Sequence, residues 1–274
     1  MNSERIQIEG AGCRIWWGEL EYGMVGEFSA DTRDAAVDVL AEAEARLFER
    51  ACPRIYGPIN GNTMQKYRFV TGTDGSRAFP FEPENPSEWP DWWKEAAWVK
   101  SADYVSSRVK LLGTSSVGLE KFRLRIDAKG IGIRPLDLEN YEKELRQLYP
   151  FLLERFSENF LFTPFTEEEF LTQYLPARPL ADPAFIRIAE RNGEICGIVF
   201  SYRDSERLIV KTLASRVPGL GALLLDEVHL AAKKAGCSEA VHALKHEDNA
   251  SCRTSERSGS EEFRRYTLFQ KGAP

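Results

Sequence analysis

The stretch RLIVKTLASRVPGLGALLLDEVHLAAKKAG, Arg207 to Gly236, decides the fold. Leu208, Ile209, Val210, Thr212 and Leu213 are apolar or β-branched and suit a strand buried in a sheet. Arg216-Val-Pro-Gly-Leu-Gly221 ends that strand, because Pro218 cannot donate to a ladder and two glycines free the backbone. A helix follows, its apolar stripe set by Leu220, Leu224, Val228, Ala231 and Ala235. Lys233 and Lys234 favour the negative end of its dipole, and Gly236 stops it. Gly219 to Leu223 contains no carboxylate and no capping side chain, so amides point outward at the positive end of the helix. Such a turn accepts an anion, most naturally a phosphate or pyrophosphate. The same residues also read as an ordinary glycine connection with water on its amides.

Outward from that stretch, 274 residues favour two domains, and 43% hydrophobic with 28% charged residues describes a globular chain. A net charge of −6 argues against general affinity for nucleic acid or anionic membrane. No apolar run is long enough to span a bilayer, and the N-terminus lacks a signal-peptide core. Cys13, Cys52, Cys196, Cys237 and Cys252 are odd in number and scattered, which fits reduced thiols in a cytoplasmic protein. His242 and His246 fall in a strand, where a spacing of four is no metal-binding pair, so no metal site is expected.

Taken in order, strands are expected at Arg5–Glu9, Arg14–Leu20 and Gly23–Phe28, then a helix capped by Asp31 with Asp34 closing a capping box. Strands at Arg54–Tyr56, Tyr67–Val70 and Ala102–Val109 follow, with a helix at Asp91–Ala97. The patch Gly113-Thr-Ser-Ser-Val-Gly118 reads as the handover between a domain at 1–118 and one at 119–274. Lys121–Ile126 alternates like a strand, and so does Gly130–Arg134. Asp137 caps a long helix, and Thr166-Glu-Glu-Glu169 opens another as a capping box. Phe185–Glu190 and Ile195–Tyr202 form a hairpin around Asn192-Gly193, which suits a type I′ turn. Strands at Glu239–Lys245 and Phe263–Gln270 flank a polar segment, Glu247–Gly259.

From residue 130 onward this order, with Arg216-x-x-Gly219-x-Gly221 after a strand and Asn249 after the next one, resembles the GNAT superfamily of N-acetyltransferases. The resemblance implies an α+β fold, with a mixed, mostly antiparallel sheet flanked by helices. It implies acetyl-CoA as acyl donor and an amine of a small molecule or peptide as acceptor, with direct transfer. The pantetheine arm would run beside Leu213, Ala214 and Ser215, and the pyrophosphate would rest on Gly219, Leu220, Gly221, Ala222 and Leu223, with Arg216 as an ion partner. Where the family often carries a tyrosine acid, seven residues after the asparagine, this chain has Glu256. Tyr266 is the nearest tyrosine downstream, Ser251 and Ser255 are weak donors, and His242 or His246 is a candidate base acting through water.

The first block repeats the later order, so a tandem or pseudo-repeat arrangement is expected, with a degenerate GNAT-like first half. Asp31 and Asp34 occupy its helix N-terminus and would repel a phosphate. Trp89, Trp92, Trp93 and Trp98 read as core and rim packing, or as the wall of an acceptor pocket. Glu167–Glu169 could attract a cationic amine or simply start a solvated helix. A non-catalytic module serving as CoA sensor or protein-interaction scaffold is the other reading, and exposed edge strands leave a homodimer open. A P-loop or dinucleotide fold is disfavoured, because no Lys-Ser/Thr follows Gly221.

Overall fold

The computed structural model describes residues 1–18, 20–111, 119–248 and 259–272. Its contacts divide the chain into two units, Met1–Val105 with Phe263–Pro274, and Ser106–Glu262. This division differs from the expected one at 118/119. The linker-like patch lies outside the described residues, and the strand near the end of the sequence packs with the first block rather than with its own half.

In the first unit β1 (Asn2–Ile8), β2 (Ala11–Trp17) and β3 (Gly23–Ala30) form an antiparallel meander. Helix α1 (Arg33–Glu49) then returns the chain to β4 (Arg54–Gly57), which runs parallel to β3. Residues of β12 (Glu261–Gly272) lie antiparallel to β4 and also pair with β5 (Phe69–Thr73). The cap of α1 is Thr32, whose hydroxyl accepts the Ala35 amide at 3.3 Å, rather than Asp31, so Asp34 lies in the first turn without closing the expected capping box. Ala36, Leu40, Ala43 and Leu47 of α1 bury against Ile15, Val25 and Ile55. Trp93 of α2 (Trp89–Glu95) and Trp98 are fully buried in the same core, which assigns these two rings to packing.

A buried polar cluster closes this unit. Glu82, from the proline-rich segment before α2, lies 3.0 Å from Arg264 Nε and accepts the Tyr266 hydroxyl and the Phe79 amide. Arg264 also donates to Thr73 Oγ1 and to the Ser76 carbonyl.

The second unit contains α3 (Glu120–Ala128), β7 (Gly132–Pro135), α4 (Tyr141–Phe156) and α5 (Glu167–Tyr174). After two 3₁₀ turns come β8 (Ile186–Arg191), β9 (Glu194–Asp204), β10 (Arg207–Ser215), α6 (Leu220–Lys234) and β11 (Glu239–His246). The sheet order is β7-β8-β9-β10-β11, antiparallel except for β10 beside β11. The tail of β6 (Val99–Lys110) lies along β11, where Ser106 Oγ accepts the Leu244 amide. Asn192 and Gly193 both take positive φ, as a type I′ turn needs, and Thr166 makes the expected capping box with Glu169. The α4 cap is Asn140, with Asp137 accepting the amides of Glu139 and Asn140 just before it.

Lys121–Ile126 is helix, not strand. Phe122 and Ile126, four apart, face the core of the unit, whereas Leu124 between them is 70% exposed. Burial of one helical face outweighed the alternating pattern. The α6 stripe differs from the expected one: Leu223, Leu225, His229 and Ala232 are buried as well, whereas Ala235 is the exposed C-cap.

Candidate functional site

The site is built on β10, the turn after it and the start of α6. Val210 pairs with His242 of β11, and there the parallel register of these two strands ends. Beyond that point β10 keeps its antiparallel partner β9, with Leu213, Ala214 and Ser215 opposite Val199, Ile198 and Gly197. Lys211 is the extra residue of a bulge at the same place. The two strands therefore part, and among the described residues the backbone edge of β10 from Thr212 to Ser215 has no register partner on β11.

The turn that follows leads into a helix with a bare N-terminus. Gly219 is the cap residue with φ +86°, no side chain caps α6, and its first turn has no acidic residue. The amides of Leu220 and Leu223 bond to the carbonyls of Val217 and Gly219, so they are used within the turn. Gly221 and Ala222 lie where helix geometry offers an amide no carbonyl partner. Leu220 and Leu223 bury their side chains in the core, which fixes the direction of the helix. A Cβ on Gly219 would stand 2.4 Å from Phe122 Cδ1, in a left-handed conformation that L side chains adopt at a cost. Gly219→Ala is accordingly expected to destabilise the protein by about 2 kcal/mol, read as a lower urea midpoint at unchanged slope. An unshifted midpoint would show that neither the backbone angle nor Phe122 constrains this position.

Arg216 does not stand open to the turn. Its guanidinium is held by both carboxylate oxygens of Glu154 on α4, donates to the Ile195 carbonyl at 3.4 Å, and lies 5.2 Å from the Phe151 ring centroid.

No family model and no curated protein matches the sequence. Solved structures do match. A GCN5-related N-acetyltransferase from Sphaerobacter thermophilus superposes with a TM-score of 0.57 at 15% identity, over 96% of this chain and 76% of that one. A tandem GNAT protein from the clavulanic acid biosynthesis pathway gives 0.53 at 10% identity, over 96% and 79%. The chain has the GNAT fold, in two halves. Identities this low carry the fold alone.

Within this GNAT fold the described residues of the first half show neither feature of the turn. Its β3–β4 parallel register is two residues long, Gly23 with Ile55 and Met24 with Tyr56. The chain then folds back along β3, the Ile59 amide donating to the Val25 carbonyl and Asn60 Oδ1 accepting the Glu27 amide, each at 2.8 Å. An added Cβ on Gly26 would lie 2.3 Å from the Ile59 carbonyl oxygen, so glycine is what lets this segment fill the gap. With Thr32 capping α1, no anion-binding turn is left there.

Of the candidate catalytic residues, Tyr266 belongs to the first unit and Glu256 lies outside the described residues. Tyr266 is fully buried in the first unit, where its hydroxyl donates to Glu82. Asn249, Ser251, Ser255 and Glu256 lie outside the described residues. His242 is buried, with Nε2 3.1 Å from His229 Nε2 and the two rings stacked, so it faces a second histidine rather than solvent. His246 is half-buried at the end of β11, accepts the Asp248 amide at Nδ1 (3.2 Å) and lies edge-on to Phe160 of the α4–α5 connection. Glu154 was not readable as a site residue, since nothing in an amphipathic helix marks which of its carboxylates will meet an arginine 62 residues on. Among the described residues no group of three His, Cys, Asp or Glu gathers as for a metal, and no helix is long and apolar enough to cross a membrane.

Proposed function

We propose that the chain is an acyl-CoA-dependent N-acyltransferase that moves an acetyl group from acetyl-CoA directly to an amine of a small molecule or peptide. The unit Ser106–Glu262 would supply the donor site, and the other unit would be a degenerate GNAT-like half. The observation that carries this reading is the bare N-terminus of α6 following the unpaired edge of β10. The pyrophosphate would take the amides of Gly221 and Ala222, with the helix dipole behind them. The pantetheine amides would pair along Leu213, Ala214 and Ser215 as an added strand does. Direct transfer asks for positioning of amine and thioester and for removal of one proton, not for a covalent enzyme intermediate.

Gly221→Glu tests the reading, because a Cβ there meets no atom closer than 3.8 Å. The parent should bind acetyl-CoA in titration calorimetry, and the variant should bind at least about tenfold more weakly with an unchanged circular dichroism spectrum. A folded parent that binds no acetyl-CoA would overturn the proposal. Binding without acyl transfer to any of a panel of amines would instead favour a CoA sensor.

A further inference from the structure

Arg216 stands three residues before Gly219, and its side chain turns back to α4. There Phe151 and Glu154, three apart on one helical face, offer it a ring and a carboxylate. The contact is fork to fork, two guanidinium nitrogens on two carboxylate oxygens. Two oxygens of a phosphate group present the same pattern to an arginine, with more charge. Both side chains remain partly open to solvent, at 37% for Arg216 and 54% for Glu154, so the pair can be exchanged at little cost.

We propose that Glu154 is a positioning residue for the donor. It occupies the Arg216 fork in the ligand-free protein and yields it to the pyrophosphate of an acyl-CoA, thereby setting the affinity for the phosphate-bearing part of the donor. This rests on the acyl-CoA reading of the turn. In the free protein the carboxylate keeps the guanidinium pointed across the Phe151 ring. On binding, the arginine gains a phosphate partner and the carboxylate passes to water. The amides of the turn fix where the phosphates sit, and Glu154 sets how much of the arginine's attraction reaches them.

The test compares two donors. Acetyl-CoA carries the pyrophosphate, whereas S-acetyl-pantetheine carries the same thioester and amides without any phosphate. Glu154→Gln is expected to tighten acetyl-CoA about threefold and to leave S-acetyl-pantetheine unchanged. In an Arg216→Gln background the same substitution should have no effect, because the residue it acts through is gone. Melting temperatures of all variants check that each is folded; Glu154→Asp, which shortens the fork by one methylene, gives the same ranking if Gln does not fold. An unchanged or weakened acetyl-CoA affinity in Glu154→Gln would overturn the proposal. So would an equal change for both donors, which would make the pair a packing contact. If the parent bound S-acetyl-pantetheine and acetyl-CoA equally well, the donor reading would stand and the role of Glu154 would fall. If it bound neither, both would fall.

Discussion

Glu82→Ala is expected to cost about 3–5 kcal/mol, the largest loss of any single substitution considered. The carboxylate is almost wholly enclosed and so is the guanidinium of Arg264 beside it, with side-chain exposures of 1% and 7%. Removing the acid takes the carboxylate from a buried cation that also donates to the Thr73 hydroxyl and the Ser76 carbonyl. It also takes from the Tyr266 hydroxyl and the Phe79 amide an acceptor that each uses, at a further cost. Glu82→Gln keeps the volume and one acceptor oxygen and should lose clearly less than alanine. Urea unfolding of the three proteins gives the comparison. A loss under about 1 kcal/mol for alanine would mean that water reaches Arg264 once the acid is gone, and that the cluster does not organise the unit.

The second large effect is a loss of stability in mild acid. Burial pushes the His229 imidazole down to about 4, and burial together with its neighbours His229 and Lys245 takes His242 well below the usual histidine range. Both rings are therefore neutral in the folded protein at pH 7, one nitrogen of the pair donating to the other. Above about pH 6.5 neither the folded nor the unfolded chain protonates these rings, so they impose no pH slope. As pH falls from about 6.5 toward about 4, the unfolded chain takes up protons that the folded one refuses, and stability drops. For His229 alone that window is worth about 3 kcal/mol. Carboxylates lose stability in the same direction below about pH 5, so the comparison must be with a variant. His229→Gln should show a flatter urea midpoint between pH 7 and 5 than the parent. Parallel profiles would show that the pair is protonated without penalty.

Some of this was legible in the residues and some was not, for reasons that can be named. Asn192-Gly193 and Thr166-x-x-Glu169 are local chemistry, settled by φ angles and by hydrogen bonds three residues apart, and they fold as read. The strand–turn–helix around Gly219 is local too and folds as read, though the fold assignment also needed the order of the elements around it. Lys121–Ile126 was misread because alternation is only a bid for a strand, and here the winning partner was the face of α6. The resemblance implied Arg216 as an ion partner of the pyrophosphate. Its contact with Glu154 on α4 follows from packing that no spacing rule encodes. Tyr266 was placed correctly in a strand, but its neighbour comes from an irregular segment whose path sequence patterns do not describe.

The return of residues 263–272 to the first unit sets an order of events for a chain made from its N-terminus. β4 and β5 leave the ribosome some two hundred residues before the strand that pairs with both of them. Until then the α1 core can form, but Phe269 is absent from it and Glu82 has no arginine to neutralise. The first unit, though it begins before the second, completes its sheet only once residues 263–272 are made. Nascent chains stalled after Glu262 should present it to a protease as unfinished, whatever the length of chain already outside the tunnel.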